Sequence, residues 1–294
     1  MRRSWIAPLL LTVAACAAPA LAEPPKPLLW KVSDDDNALY LLGSFHLLKP
    51  SDYPLAPSTD AAFADAERVV FELSPSDLSS PALVQGMQQA ALRSDGRTLQ
   101  QSLPPETWAK LEAHLASRGQ AAANFQAMDA WFVSLMVAII EMQAAGLDAT
   151  AGLDKHFAQR TVDAGKPAGG LETIAQQIAL FEEMTPQQQV ESLQDTLEEV
   201  DELQASIEKM HALWRAGDAD GLYAETGAEM KVEFPELYAR VNRDRNLAWL
   251  PRLKQMLDDS DGDDTLVIVG AMHLLGDDGV VELLRREGYT VERL

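Results

Sequence analysis

Two short elements carry the chemistry this sequence offers. Gly43-Ser44-Phe45-His46-Leu47-Leu48 and Gly270-Ala271-Met272-His273-Leu274-Leu275 share the pattern Gly-x-x-His-Leu-Leu, and each follows an apolar run. A glycine at a strand end lets the chain turn sharply. The histidine then projects from the carboxyl edge of a sheet, the usual ligand edge of α/β proteins. Two imidazoles delivered this way aim at one point, and neutral imidazole is the commonest metal ligand. Glu72 closes the run Val69-Val70-Phe71, where a buried, unpaired carboxylate is costly. Glu172 follows Gly169-Gly170-Leu171, glycines that let the backbone pass close to a ligand. His46, His273, Glu72 and Glu172 form a mixed nitrogen and oxygen set that suits a divalent Zn, Mn or Co ion. An ion so held activates water for attack on a carbonyl, with one glutamate left as general base. Arg245, followed by Asn246, is the candidate for polarising that carbonyl or holding a carboxylate.

Each of these residues has a plainer reading. One Gly-x-x-His alone carries almost no information, and a pair of unrelated loop histidines stays open. Glu72 also reads as a strand-end carboxylate at the surface. Glu172 also reads as an acid at a helix start, where the dipole favours it. For Arg245, helix surface charge is the favoured reading from the residues alone. His114, His156 and His211 fall on expected helices, in surface or packing roles. No His-Glu-x-x-His, Walker A or Gly-x-Ser-x-Gly motif occurs, so nothing supports a serine hydrolase.

The positioning elements are legible in the pattern. Residues 28–32 and 38–43 read as strands around the turn cluster 33–37, hence a hairpin. Residues 58–66 read as a helix, 68–73 as a buried strand closed by Ser74-Pro75, and 166–172 as a short strand. Residues 129–142 are unusually apolar but too short to span a bilayer, which takes about 20 residues, so a buried core helix is expected. Helices are also expected from 105, over 152–164, over 173–181, within 186–214, and over 235–257 with an interruption at Pro251. The strand 265–270, a helix over 277–287 and a strand over 289–293 close the chain. The fold class is therefore α/β (α+β): a central mixed sheet built from N- and C-terminal strands, with a large helical insertion over about 100–260.

Composition narrows the function. The chain has 294 residues, 47% of them hydrophobic, which excludes a disordered chain. With 24 Lys+Arg against 45 Asp+Glu the net charge is -21. No nucleic-acid partner is expected from such a surface. Arg2-Arg3, the apolar stretch 5–18 and Ala20-Leu21-Ala22 read as a signal peptide over 1–22, leaving a single domain over 23–294. Export to the periplasm of a Gram-negative bacterium follows, with no transmembrane span in the mature chain. Val13-Ala14-Ala15-Cys16 resembles a lipobox, so lipid anchoring through Cys16 stays open. Cys16 is the only cysteine, so a cleaved chain has neither a disulfide nor a thiol nucleophile.

Taken together, these pieces resemble the TraB/GumN family, which is related to the Tiki metalloproteases. The resemblance covers 29–294. It rests on Leu39-Tyr40-Leu41-Leu42-Gly43-Ser44-Phe45-His46, on Val69-Val70-Phe71-Glu72-Leu73, and on Gly165-Lys166-Pro167 with Gly170-Leu171-Glu172-Thr173 and Gln177. It continues through Arg245-Asn246, the run from Val267 to Gly276, Leu283-Leu284 and Gly288-Tyr289. Ser44 stands where threonine is frequent. The resemblance implies a metal-dependent hydrolase with both Gly-x-x-His motifs in the active site, and peptide cleavage in Tiki-like proteins. It puts family roles on His46, Glu72, Glu172, Arg245 and His273. Gln177 and Asn246 are lesser members, and Gly43 and Gly270 are the motif glycines. The expected function is an exported metallopeptidase acting on a peptide or other small substrate. A non-catalytic envelope binding protein and a hydrolase of a non-peptide ester-type bond are the alternatives.

Overall fold

Ala38–Ser44 is buried at every position, as a strand must be when helices cover both faces of its sheet. It is β2 of a six-stranded mixed sheet in the order β4-β3-β5-β2-β1-β6. The other strands are β1 (Leu29–Ser33), β3 (Arg68–Phe71), β4 (Ala168–Gly170), β5 (Thr265–Gly270) and β6 (Thr290–Arg293). This is a computed structural model, and it describes residues 23–259 and 262–294. The expected signal segment 1–22, with Cys16, lies outside the described residues. No helix among the described residues is long and apolar enough to cross a membrane.

The hairpin expected at the start is present: β1 and β2 pair antiparallel, Trp30 opposite Leu41. The Asp34 carboxylate accepts the Asn37 N–H at 3.2 Å and closes the turn. β2 lies parallel to β5, β5 to β3, and β3 to β4. The α/β architecture with a helical insertion is thus the observed one, and β4 reaches the sheet from inside that insertion. The apolar runs of β2, β3 and β5 meet helices from both halves of the chain in one core, including Phe157, Trp249 and Leu253. A second core holds the insertion together around Leu111, Leu115, Val133, Val137 and Leu193.

Three details differ from expectation. β3 ends at Phe71 and β4 at Gly170, so Glu72 and Glu172 lie just past their strands. Pro251 does not interrupt its helix, which runs over Asp244–Asp258. Pro251 and Leu247 are both exposed, so the Leu247 carbonyl that loses its intrahelical donor faces water. The Ala130–Ala144 helix buries Trp131, Val133 and Val137 but leaves Leu135, Met136 and Met142 half-buried. Its fully buried charge, Glu141, is held bidentately by Arg118 at 2.7 and 2.6 Å.

Candidate active site

Strand register brings the candidates to one edge. In the β2–β5 pair Ser44 lies opposite Gly270, so His46 and His273 leave adjacent strands at the same end. Phe71 lies opposite Ile268 on one side and Gly170 on the other, which places Glu72 and Glu172 beside them. The ladder continues past the strands, with the Glu172 N–H donating to the Glu72 carbonyl at 2.9 Å. All four strands are parallel, so this is the carboxyl edge of the sheet.

The motif glycines are there for space and not for an unusual backbone angle. Neither Gly43 nor Gly270 has positive φ. A Cβ on Gly270 would stand 3.2 Å from Glu72 Oε1, 3.5 Å from His273 Cδ2 and 3.7 Å from His46 Nε2. Those three side chains therefore converge on the hydrogen-only face of Gly270. A Cβ on Gly43 would meet Leu28 Cβ at 3.0 Å and the Ala271 backbone at 3.2 Å, so that glycine lets the two Gly-x-x-His elements approach.

Arg245 sits at the centre. It rises from the first turn of the Asp244–Asp258 helix, just after the π-helical turn Ala239–Arg243, a distortion common at functional sites. Its guanidinium donates to Glu172 Oε1 and Oε2 at 2.8 Å each, to Glu72 Oε2 at 2.6 Å and to His273 Nε2 at 2.9 Å. Trp249, one turn on, donates its indole N–H to Glu172 Oε1 at 3.0 Å. Glu72 also accepts the Gly270 N–H at 2.7 Å and the Gln177 side chain at 3.2 Å. Asn246 donates to the Asp278 carbonyl at 2.8 Å, which turns its oxygen toward His273 Nδ1 at 2.7 Å. His273 therefore carries its proton on Nδ1 and presents the Nε2 lone pair to the site.

Charges follow from this packing. Burial, with the nearby Arg245 and His46, holds the His273 imidazole down to about 3 against the pull of Glu72. Burial alone would raise the Glu72 carboxyl. His273 when protonated, Arg245, His46 and the Gly270 N–H bring it down to about 2. Arg245, although burial opposes its charge, is raised by the two glutamates. It stays cationic throughout.

His46 is held from the other side. A Cβ on Gly152 would overlap the His46 carbonyl oxygen at 2.1 Å, so only glycine lets the start of the Leu153–Ala164 helix pack on this backbone. The Leu153 N–H donates to the Phe45 carbonyl at 2.9 Å. Asp154 then stands beside the imidazole, Oδ1 to Nδ1 3.3 Å, with the His46 side chain 59% exposed to the cleft. Desolvation lowers the His46 pKa and Asp154 raises it. Solvent at the open face weakens both effects, and the net direction is upward.

The donor types fit a divalent ion at three residues. His273 has Nδ1 hydrogen-bonded to Asn246, as metal-binding imidazoles do, and His46 has Asp154 Oδ1 3.3 Å from its Nδ1 with no hydrogen bond closed between them. Glu72 supplies oxygen between them. Glu172 is already engaged on both oxygens by Arg245 and Trp249. Among the described residues no three His, Asp or Glu side chains are set to hold one ion. His273 Nε2 is 3.9 Å from Glu72 Oε1, and Arg245 occupies the same lone pair that an ion would take.

Asp154 and Trp249 belong to the site although no sequence motif marks them. Trp249 was accessible as the residue four on from Arg245 on one helix face. Asp154 had no sequence signal, since only the Gly152 contact brings it to His46. The other histidines stay outside the site. His211 pairs with buried Asp52 at 2.8 Å, His156 packs on Tyr53, and His114 lies 3.2 Å from Glu141.

Comparison with known proteins adds a family. The model described as the TraB/PrgY/gumN family matches residues 28–293. The chain is 23% identical to "Metalloprotease TIKI1" of Danio rerio over 311 residues, which cover 90% of this chain and 62% of that protein. It is 24% identical to "Metalloprotease TIKI2" of Danio rerio over 301 residues, 86% of this chain and 58% of that one. The chain thus spans about three fifths of the length of these relatives. It is 23% identical to "Uncharacterized protein YbaP" of Escherichia coli (strain K12) over 247 residues, 84% of this chain and 87% of that protein. No solved structure matches.

Proposed function

The chain belongs to the TraB/PrgY/gumN family, and from that premise we propose that it is an exported, metal-dependent hydrolase that cuts peptides. The convergence of His46 Nε2, His273 and Glu72 on Gly270 carries this reading. His46, Glu72 and His273 are the residues that would hold the ion. A divalent ion, when bound there, supplies Lewis acidity and an acidified water at neutral pH. Asp154 and Asn246 orient the imidazoles and keep each Nε2 directed inward. Arg245 carries a permanent charge at the reacting edge and turns to the substrate carbonyl oxygen as negative charge develops there. Glu172 Oε2, which among the described residues accepts from Arg245 alone, is released by that turn and takes the proton from water. Glu172 is thus base and anchor, and Gln177 keeps Glu72 in place.

A second reading is favoured by the Arg245–His273 contact, in which the guanidinium caps the lone pair an ion needs. It is an envelope binding protein that holds a peptide without cutting it. One experiment separates the two. Purified wild type, His46→Ala and His273→Ala are analysed for bound divalent metal and assayed on a broad peptide library. The hydrolase reading expects metal and turnover in wild type and loss of both in each variant. Variants that bind metal and cleave as well as wild type would sink it. Ligand-dependent thermal shifts without metal or turnover would select the binding protein, and turnover of esters alone would replace the peptide substrate.

A further inference from the structure

Two cavities meet at the reacting edge, and Ser44, His46 and Glu72 line both. The candidate centre is therefore the wall between them. A smaller cavity of about 220 Å³ lies toward Leu73, Leu78, Leu83 and Gln177. The larger, about 360 Å³, is walled by side chains that lie far apart in sequence: Phe45, Met142, Ile207, Met210, Leu222 and Met272. Apart from the site's own His46, Glu72, Arg245 and His273, no charged side chain among the described residues lines it. In a chain of net charge -21, an uncharged wall beside four functional polar groups is a selective surface. Three of the apolar side chains that wall it, Met142, Met210 and Met272, are methionine, which adapts to irregular apolar shapes. Ile207 and Leu222 form a buried floor, while Met142, Met210 and Met272 are half-buried at the mouth.

Two buried polar atoms in these linings make no hydrogen bond among the described residues: Asp154 Oδ1, which stands 3.3 Å from His46 Nδ1, and Ser44 Oγ. Ser44 is 2% exposed, and its hydroxyl makes no hydrogen bond among the described residues. Buried hydroxyls are nearly always satisfied, so an unpartnered one on a residue that lines both cavities marks a place for a ligand atom. It lies between the cavities, where the backbone of a chain crossing from one to the other must pass.

We propose that the larger cavity is a specificity pocket for one bulky, unbranched or γ-branched aliphatic side chain of a peptide, with Ser44 Oγ hydrogen-bonded to the peptide backbone beside it. The smaller cavity takes the next residue across the bond to be cut. This deepens the peptide reading and rests on it. A hydrocarbon chain fits the apolar walls but leaves Ser44 unsatisfied, and a fatty carboxylate can satisfy Ser44 but leaves the second cavity without purpose, so the peptide is the occupant the observations favour. Apolar pockets of this kind discriminate by about 10–200-fold.

The test uses the full chain and end-blocked pentapeptides, Ala-Ala-X-Ala-Ala with X leucine, aspartate or lysine. Binding is measured by calorimetry, and hydrolysis of the same peptides by mass spectrometry. The leucine peptide is expected to bind at least about tenfold tighter than the aspartate peptide. Met210→Glu should abolish that preference and raise affinity for the lysine peptide. Met142→Glu, on a different helix, should do the same and guards against a folding failure at one site. Ser44→Ala should weaken all three peptides by similar factors. Equal binding of leucine and aspartate peptides, no binding of any of them, or an unchanged preference in both folded glutamate variants would overturn the pocket. Decanoate displacing the leucine peptide and binding tighter than it would overturn it in favour of a lipid. Selective binding without hydrolysis would leave the pocket standing and refute the hydrolase reading instead.

Discussion

Replacing Arg245 by methionine tests the electrostatic logic of the site. One guanidinium serves two carboxylates, and all three side chains are nearly enclosed: Arg245 and Glu72 are 12% exposed and Glu172 is 8%. Arg245→Met keeps the stem and removes the charge. It leaves two buried carboxylates facing each other, with the Gly270, Gln177 and Trp249 donors but no nearby permanent cation. Removing one partner of a buried pair costs about 3–5 kcal/mol. At about 2–4 °C per kcal/mol for a chain of this class, the melting temperature should fall by about 6–20 °C. The measurement is thermal and urea unfolding in the presence of a chelator, because a bound ion would add its own stabilisation. A companion variant, Arg245→Met with Glu172→Gln, removes one of the orphaned charges and should recover part of the loss. The two sites should then show a coupling of about 0.5–3 kcal/mol. A loss under about 1 kcal/mol, or additivity within about 0.5 kcal/mol, would refute the claim that Arg245 is what holds the two carboxylates together.

Three further outcomes are expected of single substitutions elsewhere. Asp154→Asn should weaken divalent-ion affinity by about 10–100-fold with the fold intact, read by competition with a fluorescent chelator; unchanged affinity would remove Asp154 as the residue that orients His46. Gly276→Ala forces a side chain onto φ +73 and puts its Cβ 2.3 Å from the Tyr223 ring, whereas Gly262, with the same φ, has nothing within 4 Å. The Gly276 variant should therefore lose clearly more stability than Gly262→Ala in chemical denaturation, and equal losses would show that the ring moves aside freely. Asp52, buried against His211, Arg215 and the Lys49 N–H, is lowered below its ordinary value because these donors outweigh burial. Its stabilisation is complete above the unfolded value of about 3.9 and is lost as pH falls through the folded one. The deficit of Asp52→Asn relative to wild type should thus be largest near neutrality and shrink as the pH falls below about 4; a deficit independent of pH would refute it.

The sequence by itself determined which residues form the sheet and which of them end at its carboxyl edge. Short apolar runs bounded by turn residues fit β2, β3 and β5, since their length and flanking turns favour a strand buried on both faces over a buried helix. The repeated Gly-x-x-His and the acids after β3 and β4 then mark four strand ends. The TraB/PrgY/gumN family was legible from those same pieces. Tertiary structure decided how they meet. Local pattern does not say that β5 inserts between β2 and β3, and this order is what puts Gly270 under His46, His273 and Glu72. It does not say which face of the Asp244–Asp258 helix turns inward. Read from residues alone, Arg245 looked like surface charge, yet it is the most connected group in the site. Nor does local pattern show that Gly152, by its lack of a side chain, carries Asp154 to His46. Those contacts join segments distant in the chain, and their energies depend on burial and close approach, which a linear pattern does not contain.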